Sequence, residues 1–189
     1  MNLTIIERPS PNFTKGRKQK VEGVIIHCTD GFEPTDLQWL CNPEAKASAE
    51  YYIGRDGKIY RLVSEANTAW QAAEWNGKTI GIELSRRLTQ PKRNAYTPVQ
   101  YAALQCLLPD IESRHPDIWI KAHSALAPGR RSDPGPDFQW PLIAKEHWVT
   151  WGQDEWIWAV RGVYLSPEGW GGPMTRGMMS VVLHRLKGA

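Results

Sequence analysis

An α/β fold, with a central mixed β-sheet flanked by helices, is what this sequence predicts, and three observations predict it. Two β-branched runs, Gly23–Thr29 and Thr79–Ser85, read as strands; a hairpin signal lies between them; and an amphipathic helix signal follows over 97–111. Strands joined by a tight turn and by longer crossovers give a mixed sheet, and its apolar faces need helices to cover them. The chain of 189 residues, 41% apolar and 23% charged, suffices for one sizeable core and a small appendage. Aromatics at 10%, with 16 Gly and 14 Pro scattered without a period, exclude collagen-like and low-complexity classes. No apolar run approaches the roughly 20 residues of a membrane-spanning helix.

Each element has a local cause. Gly23 and the Asp30-Gly31 turn signal bound the first strand, which His27 approaches at its end. Tyr51-Tyr52-Ile53 and the run 58–62 flank Gly54-Arg55-Asp56-Gly57, where Gly57 supplies the positive φ that a hairpin turn needs. In the run Thr79–Ser85, alternation puts Thr79, Gly81, Glu83 and Ser85 on one face, opposite Ile82 and Leu84. Thr97 as N-cap, Pro98 at the first helical position and Gln100 at the third form a capping box. Leu104, Leu107, Leu108 and Ile111 make one core-facing stripe, and Pro109 predicts a kink or an early stop near Leu108. Residues 118–121 read as a short strand leading into His123.

The composition changes near residues 145–150. Six of the ten Trp fall between Trp140 and Trp170, and Met178, Met179, Val182, Leu183 and Leu186 form a stripe behind Thr175 that predicts a final short helix. The expected organisation is a first domain over 1–147 and a small helical, Trp-rich C-terminal extension over 148–189. The alternative is a tail packed on the same core.

Charge narrows the function little. A formal net charge of +3 offers no broad basic face for nucleic acid, and Lys15, Arg17, Lys18 and Lys20 form a solvated loop or a contact for an anionic partner. Met1 to Ser10 lack the charged start and long apolar stretch of a secretory signal, which predicts synthesis into the cytoplasm. Three cysteines, Cys28, Cys41 and Cys106, give an odd number without metal-like spacing, so reduced thiols are expected.

The polar residues that stand out are His27, Glu83, His123, Arg131 and Asp133. Two imidazoles and a carboxylate are what a catalytic zinc site requires, and His27, His123 and Asp133 can supply them, leaving a fourth position for water. Cys28 points away from the face of His27 on an extended strand and is expected to pack beneath the sheet. His115, His147 and His184 lack companion ligands and read as structural or solvated. Asp133 lies in Ala127-Pro128-Gly129-Arg130-Arg131-Ser132-Asp133-Pro134-Gly135-Pro136, a stiff loop suited to holding a ligand in place.

Four collinear segments then carry a resemblance: Val24-Ile25-Ile26-His27-Cys28-Thr29, Tyr51-Tyr52-Ile53-Gly54-Arg55-Asp56-Gly57, Ile80-Gly81-Ile82-Glu83-Leu84, and His123-Ser124-Ala125-Leu126 continuing through the loop to Pro136. Together they resemble the zinc-dependent N-acetylmuramoyl-L-alanine amidases, a family that includes phage lysins and is related to the peptidoglycan recognition proteins. The resemblance implies zinc (Zn2+) held by His27, His123 and Asp133 in a groove on one face of the sheet, with Glu83 as general base. It implies bacterial peptidoglycan as the substrate, with no nucleic acid partner, no membrane insertion and a monomeric protein. Arg131 falls where members usually carry Lys. Arginine cannot release its proton at neutral pH, which leaves it charge stabilisation of an oxyanion. Glu50 and Gln71 stand where many members have His, and Ala49 stands where some phage members use a Tyr.

The tail resembles one S-layer-homology unit, with Met178 where that family usually has an acidic residue. The activity implied is hydrolysis of the amide between N-acetylmuramic acid and L-alanine by a phage-type endolysin acting on the cell wall after release. The alternatives are a non-catalytic peptidoglycan-binding module and a cytosolic muropeptide-recycling amidase.

Overall fold

The computed structural model describes residues 3–31, 33–87 and 95–143. The Trp-rich extension, its final helix and the boundary at 147, together with His147 and His184, lie outside the described residues.

Eight strands and three α-helices alternate along the described chain. The strands are β1 (Ile5–Glu7), β2 (Phe13–Thr14), β3 (Gly23–Thr29), β4 (Tyr51–Ile53), β5 (Ile59–Arg61), β6 (Thr68–Ala69), β7 (Thr79–Ser85) and β8 (Trp119–Ala122). The helices are α1 (Thr35–Leu40), α2 (Pro98–Arg114) and α3 (His123–Leu126). Six strands form one sheet in the order β1-β5-β4-β7-β3-β8, and β2 pairs with β6 in a separate two-stranded ribbon. Within the large sheet only the β4–β5 hairpin is antiparallel. The mixed sheet follows from chemistry: Gly57, at φ +80°, closes the hairpin turn, while β3, β7 and β8 are reached by crossovers.

The two faces of β3 and β7 divide the labour. Val24, Ile26, Ile80, Ile82 and Leu84 join one core cluster with Leu104, Leu107, Leu108 and Ile111 of α2. The register sets Ile25 against Gly81 and His27 against Glu83, so both polar side chains rise from adjacent central strands on the opposite face. Helix α2 starts with the expected capping box between Thr97 and Gln100. The Gln100 side chain also donates to the Ser85 carbonyl at 2.8 Å and the Ile53 carbonyl at 3.3 Å, fixing the helix start over β7 and β4.

Three local expectations change. Helix α2 does not stop near Leu108 but runs through Pro109 to Arg114. Leu107, Leu108 and Ile111 are fully buried, at about 1.5–3 kcal/mol each, which outweighs the roughly 3 kcal/mol that an interior proline costs. The strand before His123 is shifted by one residue, to Trp119–Ala122. The basic cluster is not simply solvated, because Arg17 turns inward: its Nη2 meets Glu50 Oε1 at 2.7 Å, and its other nitrogens donate to the carbonyls of Glu65, Asn76 and Thr79.

Candidate metal centre and active site

Strand β3 delivers His27 near its end, and β8 runs alongside in parallel with Ile26 opposite Ala122, so the next residue, His123, opens α3 beside His27. The two rings meet edge to face, with centroids 4.5 Å apart. Asp133 comes from the proline- and glycine-rich loop, which is tied down on both sides. Its carbonyl accepts from the Ser124 N–H at 3.0 Å. The next carbonyl, that of Pro134, accepts from the Tyr96 hydroxyl at 2.6 Å and from Arg86 Nη1 at 3.2 Å. Gly129 and Gly135, both at positive φ, make the bends that bring the loop back to the sheet.

These elements make one carboxylate oxygen the meeting point of two imidazoles. Asp133 Oδ2 lies 2.9 Å from His27 Nδ1 and 3.0 Å from His123 Nδ1. The three potential ligand atoms all lie within 4.8 Å of one another. Ligands of a tetrahedral zinc at about 2.0–2.2 Å sit roughly 3.3–3.6 Å apart, so the observed spacing fits a cation with little movement. The donor set fits as well, since two imidazoles and a carboxylate suit zinc, and both histidines are buried, at 2% and 3% exposure. Against the upward push of burial, hydrogen bonds from His123 and His27 hold the Asp133 carboxyl far below the usual range, so it is an anion ready for a metal. For His27, burial lowers the pKa, but the Asp133 hydrogen bond and the charges of Glu83 and Asp133 raise it overall.

Glu83 stands beside this trio. Burial pushes its carboxyl up to about 7, opposed by His27 and reinforced by the charges of Asp133, Asp36 and Asp30. Its Oε2 is buried and has no hydrogen-bond partner among the described residues, and the same holds for His123 Nε2. Buried polar atoms without partners are costly, and here both belong to side chains lining one cavity of about 280 Å³. Trp70 and Arg131 also line it; Arg131 is exposed, and its backbone N–H donates to the Ala127 carbonyl. His27, Glu83, His123, Arg131 and Asp133 are thus brought together around one opening.

Other residues take structural places. Cys28 packs against the α2 core, and burial pushes its thiol up to about 12, which keeps it protonated. Cys28, Cys41 and Cys106 are free thiols. His115 pairs with Glu65 at 2.8 Å. Of the two departures noted in the sequence, Glu50 is fully buried, with Oε1 bound to Arg17 and the Ala69 amide and Oε2 accepting from the Gly81 amide at 2.7 Å. Gln71 reaches the site, with its Oε1 2.7 Å from His27 Nε2. Sequence reasoning missed that contact, although Gly81 inside a strand was a signal of close approach.

The fold and site define a class, mixed α/β folds that carry a His-His-Asp cluster on one face of the sheet, and comparison makes it specific. The sequence profile described as N-acetylmuramoyl-L-alanine amidase matches residues 17–136, and the chain belongs to that family. N-acetylmuramoyl-L-alanine amidase AmiD of Escherichia coli (strain K12) is 32% identical over 154 residues, covering 70% of this chain and 55% of that protein. The 1,6-anhydro-N-acetylmuramyl-L-alanine amidase AmpD of Enterobacter cloacae is 37% identical over 103 residues, covering 49% of this chain and 53% of that protein. A crystal structure of a selenomethionine AmpD derivative superposes with a TM-score of 0.64 and 27% identity, covering 74% of this chain and 92% of that one. The chain spans about half the length of the AmiD and AmpD relatives.

Proposed function

We propose that the protein is a zinc-dependent hydrolase of the amide between the lactyl group of N-acetylmuramic acid and L-alanine in bacterial peptidoglycan. The observation that carries the reading is the convergence of His27 Nδ1, His123 Nδ1 and Asp133 Oδ2 beneath a cavity that the Glu83 carboxylate also lines. His27, His123 and Asp133 would hold the ion, which when bound supplies Lewis acidity toward a carbonyl and toward water. Glu83 takes the proton of the attacking water and returns it to the leaving amine of L-alanine, a role suited to a carboxyl whose pKa burial has raised. Arg131, on the rim, supplies positive charge toward the developing oxyanion and keeps its proton throughout. Trp70 offers an aromatic face at the cavity mouth against which a sugar ring can lie.

The test joins metal content to bond-specific chemistry. Purified protein should carry about one zinc per chain and release free L-alanine amino termini from purified walls; a chelator should abolish release and zinc restore it. Zinc-loaded protein that binds walls but releases no amino termini would instead point to a binding module.

Two settings share this chemistry. We infer a phage-type endolysin, with the Trp-rich segment 148–189 as a wall anchor, because clustered tryptophans can stack on sugars. The AmpD relatives favour the recycling reading, since their name specifies 1,6-anhydro muropeptides. Cleavage of intact walls at a rate that falls when 148–189 are removed supports the first. A strong preference for soluble anhydromuropeptides, indifferent to that deletion, supports the second.

A further inference from the structure

We propose that Gln71 is a positioning residue that commits His27 to one tautomer, with the proton on Nε2 and Nδ1 left to bind the metal. The inference rests on the zinc-site reading above, and it concerns a residue standing where many members of the family carry His.

The direction of every hydrogen around Gln71 can be assigned. Its Nε2 lies 3.4 Å from the Thr79 carbonyl and 3.1 Å from Thr79 Oγ1. A carbonyl can only accept, and the Thr79 hydroxyl spends its proton on the Trp75 carbonyl at 2.7 Å, so both groups present lone pairs. The NH2 end of the carboxamide must therefore face Thr79, which turns Oε1 toward His27 Nε2 at 2.7 Å. An amide oxygen has nothing to donate, so the proton in that contact belongs to His27 Nε2. The remaining ring nitrogen, Nδ1, is the one aimed at Asp133 Oδ2, so the proton it shares with that carboxylate is the one a bound metal would displace.

The backbone around Gln71 is held for this purpose. Asn76 Oδ1 accepts from the Gln71 and Ala72 amides at 3.0 and 2.5 Å, which fixes where the side chain leaves the chain. The side chain then crosses the sheet over Gly81, where a Cβ would overlap the carboxamide itself. Gly81 and Glu83 occupy the same face of β7, so a bare position in the strand gives Gln71 its passage to the histidine. Outer partners of ligating histidines fix ring orientation and commonly change metal affinity by about 10- to 100-fold when removed.

The test uses the full-length zinc-loaded protein and two readouts besides activity: zinc affinity from competition with a chromophoric chelator, and the imidazole N–H resonances of 15N-histidine-labelled protein. Wild type should show a slowly exchanging His27 Nε2–H signal. Gln71→Leu should lose that protection and weaken zinc binding about 10- to 100-fold. Gly81→Ala, which leaves Gln71 in place but displaces its carboxamide, should do the same and stands as the second variant if Gln71→Leu does not fold. Gln71→Glu keeps an acceptor toward His27 Nε2 and should retain the protected N–H, although it loses the donor that Thr79 accepts from. The inference is overturned if both Gln71→Leu and Gly81→Ala keep the protected Nε2–H, or if affinity falls in them while that signal is unchanged. A wild-type protein that binds no zinc would overturn the zinc-site reading, and the N–H signal would then still decide whether Gln71 sets the His27 tautomer.

Discussion

Glu50 and Glu83 both have carboxyls that burial raises to about 7, yet their partners differ. Glu50 is sealed: Arg17 and the Ala69 and Gly81 amides occupy its two oxygens and pull against burial. Glu83 keeps Oε2 without a partner among the described residues and faces the cavity with the three metal-ligand candidates. A raised pKa therefore does not mark a catalytic group by itself. The unspent hydrogen-bonding capacity, on a side chain lining a space a substrate can enter, separates the proposed base from the carboxylate that holds strands together.

The largest expected effect tests the catalytic half of that contrast. Glu83→Gln preserves size while removing the base, so the rate of amide cleavage should fall by about 10²- to 10⁴-fold. Zinc content should be unchanged, and the melting temperature should not drop, because a carboxylate that is costly to bury has become a neutral amide. A variant that cleaves walls at the wild-type rate would remove Glu83 from the proposed chemistry. For Glu50 the expectation inverts. Glu50→Ala leaves Arg17 buried and unpaired and strips the Gly81 and Ala69 amides of their acceptor, so thermal unfolding should show a loss of about 3–5 kcal/mol. Restoring an apolar pair with Arg17→Met in the same chain should recover part of that loss. If Glu50→Ala melts like wild type but turns over about 100-fold more slowly, the two glutamates have been assigned the wrong way round.

Much of this contrast is legible in the sequence, and what stays hidden there has a physical reason. The alternation in Thr79–Ser85 puts Glu83 opposite Ile82 and Leu84, and the register with β3 then sets it beside His27. The capping box at Thr97 and the turn at Gly57 are readable because their causes lie within a few residues of sequence. Pro109 misleads because its local backbone cost is visible while the burial of Leu107, Leu108 and Ile111 is not. Arg17 looks like one member of a basic run, and only folding brings it to Glu50, 33 residues away. Gln71 stands out as a departure from a pattern, yet its contact with His27 spans 44 residues and depends on a missing side chain at Gly81. Local rules reach caps and faces; pairings between distant polar groups are set by topology.

A third carboxylate sharpens the comparison with a smaller effect of opposite sign. Glu65 is also mostly buried, but Arg114 grips both its oxygens, at 2.8 and 3.1 Å, while the Tyr51 hydroxyl and His115 Nε2 add bonds at 2.5 and 2.8 Å. Against the upward push of burial, the bonds from Arg114, Tyr51 and His115 bring its carboxyl down to about 2. A carboxyl lowered on folding releases its proton more readily in the native chain, so its stabilisation is complete above the unfolded value of 4.5 and is lost as pH falls through about 2. The contribution at neutral pH is about 2–3 kcal/mol. Denaturant midpoints measured from pH 6 down to about pH 2 should therefore drop steeply in wild type and less steeply in Glu65→Gln, the two curves converging at the acid end. Glu50 and Glu83 act in the other direction: their neutral forms are favoured by folding, so what they contribute is present below 4.5 and lost as pH rises toward about 7. Parallel acid limbs in wild type and Glu65→Gln would mean that the Arg114 clamp does not hold Glu65 ionised, and that the number of donors around a buried carboxylate does not set the sign of its pH dependence in this fold.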